Sequence, residues 1–104
     1  MNETRYLQAQ RQAHMFKAMS HPLRMYILVT LKDRPRCVCE LAEEMGVDKS
    51  VASKHLSQLR EAGLIKDTKT GTQVEYRLAA PCVLEVATCS DTAVLMNRKS
   101  LLGI

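Results

Sequence analysis

Between Cys37 and Ile65 the apolar positions fall into two short helical runs separated by a tight turn. In the first, Leu41, Ala42 and Met45 recur at helical spacing on one face, with Glu40, Glu43 and Glu44 around the rest. Gly46 follows as a C-terminal stop, Val47 is expected as a buried plug in the turn, and Asp48 is a suitable N-cap for the second run. There Ala52, Leu56 and Leu59 form the core stripe, flanked by Val51 and His55, while Ser50, Ser53, Lys54 and Ser57 form the opposite one. Two amphipathic helices joined this way make a helix-turn-helix. Ordinary solvated faces mix Glu with Lys. This second face instead carries small hydroxyls and cations, with Lys49 at its start and no acid before Glu61. Short donors and positive charge suit a helix that enters the major groove of DNA.

The flanking segments support that motif. A helical pattern over residues 4–19 places Leu7, Ala9, Ala13, Phe16 and Met19 among Gln and Arg. Ser20-His21-Pro22 starts a second helix, with Leu23, Ile27, Leu28 and Leu31 facing the core, and Pro35 forces its end near Arg34. After Gly63, Leu64–Asp67 and Gln73–Leu78 read as two strands, the second alternating Val74, Tyr76 and Leu78 inward with Gln73, Glu75 and Arg77 outward. The turn Lys69-Thr70-Gly71-Thr72 joins them into a hairpin, a wing whose basic tip is placed to touch phosphates or the minor groove. The DNA-facing set expected from the sequence is Lys49, Ser50, Ser53, Lys54, Ser57, Lys69, Thr70 and Gln73. A last helix over 81–97 is apolar around most of its circumference, so it requires burial on more than one side. Dimerisation through the helices at 4–19 and 81–97 meets that requirement, and two-fold symmetry matches a pseudo-palindromic operator. The expected fold is mainly α with a β-hairpin, a homodimeric winged helix-turn-helix of order α-α-α-α-β-β-α.

Composition narrows the picture. The 104 residues suffice for one domain, 1–104, and are few for an enzyme with a deep cleft. No C-x-x-C, nucleophile–base signature or glycine-rich phosphate loop is present, so neither an enzyme nor an organic cofactor is expected. The formal net charge of +4 favours a polyanionic partner. The N-terminal residues are too polar for a signal peptide and no apolar run approaches a membrane span. A cytoplasmic protein with its four cysteines reduced is expected, rather than a disulfide scaffold.

Cys37 and Cys39 are the sharpest chemical feature. Residues i and i+2 of a helix point about 200° apart, so a C-x-C pair cannot grip one ion from inside it. The pair can do so with Cys37 in the lead-in after Pro35 and Cys39 in a loosened first turn. Arg34, Arg36 and the positive end of the helix dipole then favour thiolate, the form that binds soft metals. Such an ion would resist regular helical geometry in the helix that positions the recognition helix. Cys82 and Cys89 lie on one stripe of the last helix, about 10 Å apart along its axis, too far to share an ion within it. They either pack in the dimer interface or add a ligand to a shared site. His21 and His55 read as structural, leaving His14 as an outside candidate ligand.

S-H-P-L-R-M-Y-I-L (20–28), C-V-C-E-L (37–41), S-x-H-L-x-x-L-R-x-A-G-L-I (53–65) and V-E-Y-R-L (74–78) together resemble the ArsR/SmtB family of winged-helix metal-sensing repressors. The resemblance implies a dimer that binds its operator when metal-free and releases it with inducer. C-V-C-E-L is similar to the site of the family's arsenite, antimonite, cadmium and lead sensors, which makes Cys37 and Cys39 primary ligands and As(III) or Sb(III) the expected inducer. Two departures stand out. Ala42 occupies a position where arsenite sensors commonly carry a further cysteine, and no cysteine precedes Cys37 to complete a cadmium-type site. Cys82, Cys89 or an outside thiol would make up the number. The absence of His beyond Pro81 argues against the family's zinc site. Two alternatives remain, a Cd(II)/Pb(II) sensor and a thiol redox or polysulfide switch; Cys37 and Cys39 are poorly placed to bridge each other in the latter.

Overall fold

The computed structural model describes residues 1–102, with side-chain surroundings through Lys99. Helices α1 (Glu3–Met19) and α2 (Pro22–Asp33) are followed by a two-residue strand β1 (Arg36–Cys37), then α3 (Val38–Met45), α4 (Lys49–Glu61), β2 (Ile65–Thr70), β3 (Gln73–Leu78) and α5 (Cys82–Leu102). The expected winged helix-turn-helix is present, with one strand more than the sequence pattern announced.

Each helix starts and stops for a local reason. The Asn2 side chain accepts a hydrogen bond from the Arg5 N–H and caps α1. His21 does the same for α2, its Nδ1 accepting from the Leu23 N–H at 3.0 Å while Pro22 occupies the first turn, where its missing donor costs nothing. Arg34 is extended before Pro35, which ends α2. The α3–α4 turn closes on Gly46 at φ 68°, a left-handed geometry that suits glycine, with the Val47 N–H donating to the Ala42 carbonyl at 3.0 Å. Val47 itself is half-buried rather than a buried plug, because the turn it sits in lies at the surface. Asp48 is the N-cap residue of α4 through its backbone, its carbonyl accepting from the N–H groups of Val51 and Ala52.

The core is built from one stripe per helix. Ile27, Leu28 and Leu31 of α2, Leu41 of α3, and Leu56 and Leu59 of α4 are buried together with Leu64 and Ile65 at the head of β2. Met19 from α1 and Val83 and Leu84 from the first turn of α5 close the cluster. The sheet order is β1-β3-β2, all antiparallel. In the hairpin Lys69 pairs with Val74 and Thr70 with Gln73. Lys69 and Thr70 therefore belong to the strand, and the turn is Gly71-Thr72 alone, with Gly71 at φ 64°.

Outside this centre α1 and α5 present exposed apolar side chains, including Leu7, Phe16, Val86, Val94, Leu95 and Met96. The radius of gyration is 16.2 Å, against about 13 Å for a compact chain of this length. The excess comes from helices that extend beyond the single core. No helix among the described residues is long and apolar enough to cross a membrane.

Candidate nucleic-acid interface and thiol site

Helix α4 buries Ala52, Leu56 and Leu59 and thereby turns Lys49, Ser50, Ser53 and Lys54 to the exterior, with Ser57 half-buried at the edge of that face. On the wing, Lys69, Thr70 and Gln73 are exposed. The eight residues read from the sequence thus lie on the two elements that a winged helix-turn-helix offers to DNA. The wing is tied to the reading helix directly, since Arg60 of α4 donates to Asp67 of β2 at 3.2 Å. Arg60 is accordingly engaged by a carboxylate.

At the opening of α3, Cys37 is 8% exposed, lies outside the helix as its N-cap and pairs with Glu75 of β3. Cys39 is exposed and sits within the helix. The expected loosening of this first turn is not found, because a capping box holds it. Glu40 accepts from the Cys37 N–H at 3.3 Å and from Arg34 at 2.8 Å. The Arg34 guanidinium, and after it the Cys37 N–H, hold the Glu40 carboxyl below the usual carboxylate range.

The arginines also differ from expectation. They face carboxylates rather than thiols, Arg34 bonding Glu40 and Arg36 bonding Glu44 at 2.8 Å. The Tyr26 hydroxyl donates to the other oxygen of Glu44 at 2.7 Å. One glutamate of α3 therefore joins α2 and β1. Each acid had been visible only as part of the polar face of α3, and nothing in the periodicity paired it with a particular arginine.

Cys82 and Cys89 are exposed on α5 and line one cavity of about 650 Å³ with Lys32 and Glu85. No cluster of three or more His, Cys, Asp or Glu able to hold a metal ion exists among the described residues. One chain thus supplies two neighbouring sulfurs near Val38 and a separate pair on α5, and not a complete three-thiolate set. His14 is exposed on α1 and lines a different cavity.

His21, which caps α2, meets His55 of α4, with ring centroids 4.3 Å apart. Burial, then the nearby His21 and Arg24, push the His55 pKa down. As pH falls through the ordinary histidine range near 6.5, the unfolded chain takes up a proton that folded His55 still refuses, so stability falls in that window. Thermal melts at about pH 7.5 and about pH 5.5 are expected to show a smaller loss for His55→Gln than for wild type. Equal losses would mean that His55 does not contribute.

Residues 21–67, from the α2 cap to the middle of β2, match the profile of bacterial regulatory protein, arsR family. An HTH-type transcriptional regulator of Mycobacterium tuberculosis, Rv0081, is 37% identical over 75 residues, covering 71% of this chain and 66% of that protein. The chain belongs to the ArsR family. A transcriptional repressor SmtB homolog from Synechocystis is 39% identical over 72 residues, covering 69% of this chain and 54% of its own length. The chain spans between about half and two thirds of the curated relatives it matches. The crystal structure of Rv0081 superposes with a TM-score of 0.77 at 28% identity, covering 98% of this ArsR-family chain and 99% of that one. Mb0332 from Mycobacterium bovis, described as a homodimeric winged helix-turn-helix DNA-binding domain, reaches a TM-score of 0.81 at 23% identity, over 96% and 93% of the two chains. That likeness establishes the fold.

Proposed function

We propose that this protein is a cytoplasmic, dimeric transcriptional repressor that binds a pseudo-palindromic operator and leaves it when As(III) or Sb(III) binds Cys37 and Cys39. The observation that carries the reading is the position of Cys37. It is at once the N-cap of α3 and a partner of β3, the central strand of the wing sheet. α3 packs on α4, so a change at this residue reaches the wing through the β1–β3 pairing and α4 through helix packing. The exposed hydroxyls and lysines of α4 and the basic wing support a duplex as the partner. The apolar faces of α1 and α5 support a second copy of the chain as theirs.

Cys37 is buried in a strand–helix junction while Cys39 is exposed within the first turn. Bringing both sulfurs to one As(III) requires the first turn of α3 to open, and with it the Glu40 capping box. Glu40 then no longer holds the Cys37 N–H, and the β1–β3 pairing is strained from its α3 side. The ligand stabilises whichever arrangement it binds better, which is the one less suited to DNA. A third thiolate comes from outside the single chain.

The reading is tested by fluorescence anisotropy of a labelled duplex carrying the protein's own promoter, titrated with As(III), Sb(III), Cd(II) and Pb(II) under reducing conditions. Release by As(III) or Sb(III) is expected. Release by Cd(II) and Pb(II) alone would transfer the function to the divalent ions. Release by peroxide or polysulfide with none of the four would make the protein a thiol redox regulator, and failure to bind the duplex would overturn the repressor reading altogether.

A further inference from the structure

A cavity of about 660 Å³ lies where α1, α2 and α4 meet, and its wall includes Lys17, Arg24, Ser53, Lys54 and Ser57. Three of these, the exposed Ser53 and Lys54 and the half-buried Ser57, belong to α4, so the cavity opens on the flank of the reading helix. The other two, Lys17 on α1 and Arg24 on α2, come from elements outside the helix-turn-helix. None of the three cations forms a salt bridge among the described residues, although three other arginines of the chain do. Arg24 also carries a buried Nε with no hydrogen-bond partner, a condition that is destabilising until something satisfies the donor. Glu61 is the one acid on the cavity wall, against the cations Lys17, Arg24 and Lys54.

We infer that this cavity seats a backbone phosphate of the bound duplex, held by Lys17 and Arg24 beside Lys54. The inference rests on the DNA-binding reading above and adds to it two contacts that lie on neither the reading helix nor the wing. A phosphate there shares the cavity with the hydroxyls of Ser53 and Ser57 from α4 and with Arg24 from α2. Its charge offsets the mutual repulsion of three cations gathered without enough acid. Because α1 also carries exposed apolar side chains such as Leu7 and Phe16, a phosphate held by Lys17 links the placement of the reading helix to the helix proposed to meet a second copy. Contacts of this kind fix the register of a protein on the duplex without reading sequence.

The experiment measures duplex affinity by anisotropy at a series of salt concentrations for wild type, Lys17→Gln, Arg24→Gln and, as a cationic control elsewhere on the surface, Lys32→Gln. The two cavity variants are expected to weaken binding on specific and unrelated duplexes alike, and each to reduce the slope of log K against log salt by about 1. Lys32→Gln should keep the parental slope. Circular dichroism melts accompany each variant, and Lys17, being exposed, decides the matter if Arg24→Gln fails to fold. A wild type that binds while Lys17→Gln keeps the parental slope overturns the phosphate seat and leaves the repressor reading standing. A wild type that binds no duplex removes both.

Discussion

Leu56→Ala is expected to lower the thermal midpoint by roughly 10–30 °C, enough to leave much of the protein unfolded at physiological temperature. Leu56 is 0% exposed and lies in the cluster with Leu28, Leu31, Leu41, Leu59 and Leu64. Truncating such a leucine costs about 2–5 kcal/mol, the sum of lost transfer energy and the cavity left behind. A domain of this size has only about 5–15 kcal/mol to lose. The position also matters for function, because Leu56 is the middle residue of the stripe that sets the rotation of α4. When its side chain is gone, the helix loses the contact that turns Ser53 and Lys54 outward. Val29→Ala, on the same core helix pair but 55% exposed, provides the contrast and should stay within about 0.5 kcal/mol. Chemical denaturation of the two variants checks the pair. A Leu56→Ala cost below that of Val29→Ala would contradict the assignment of the core.

The burial of Leu56 was readable from the sequence, as were all five helices, because each is set by spacing within a single segment. Ala52, Leu56 and Leu59 announce their own face, and Gly46 and Pro35 announce where a helix stops. What spacing does not carry is which segment a polar group meets. Strand β1 is two residues long, too short for any alternation, and exists only because β3 offers it a free edge. The partners of Arg34 and Arg36 are set by how α2, β1 and α3 close on each other, so a plausible local reading placed them beside the thiols. The wing turn moved for a related reason. The register of β2 on β3 continues pairing through Thr70 and Gln73, and only Gly71 has the left-handed backbone that the reversal needs. The cavity of Lys17 and Arg24 joins residues from two helices whose patterns say nothing about each other. The exterior positions of α4, by contrast, follow from spacing alone, since exposure on that helix is the complement of its core stripe, with Ser57 half-buried at the edge.

Serine at Cys37 is expected to abolish release of the operator by As(III) while leaving the fold as stable as before or slightly more so. The two effects separate because the residue has two roles. As the N-cap of α3 its backbone is extended, at φ −86° and ψ 165°, and serine is among the best residues for that position, where a good cap contributes about 1 kcal/mol. As a ligand it offers a soft sulfur, and a serine hydroxyl is a hard oxygen with little affinity for a thiophilic ion. Cys39→Ser should likewise lose the response, and since Cys39 is exposed its stability should change by no more than about 0.5 kcal/mol. Loss of response without loss of stability cannot come from damage to the fold. The same anisotropy titration, run beside thermal melts of each variant, gives both quantities. The Cys82→Ser/Cys89→Ser double variant then locates the third sulfur. Retained release assigns it to a small-molecule thiol, whereas lost release assigns it to α5 of a second copy, since one chain does not gather three such ligands among its described residues. If Cys37→Ser and Cys39→Ser both respond to As(III) as wild type does, the junction of β1 and α3 is not where the inducer is sensed.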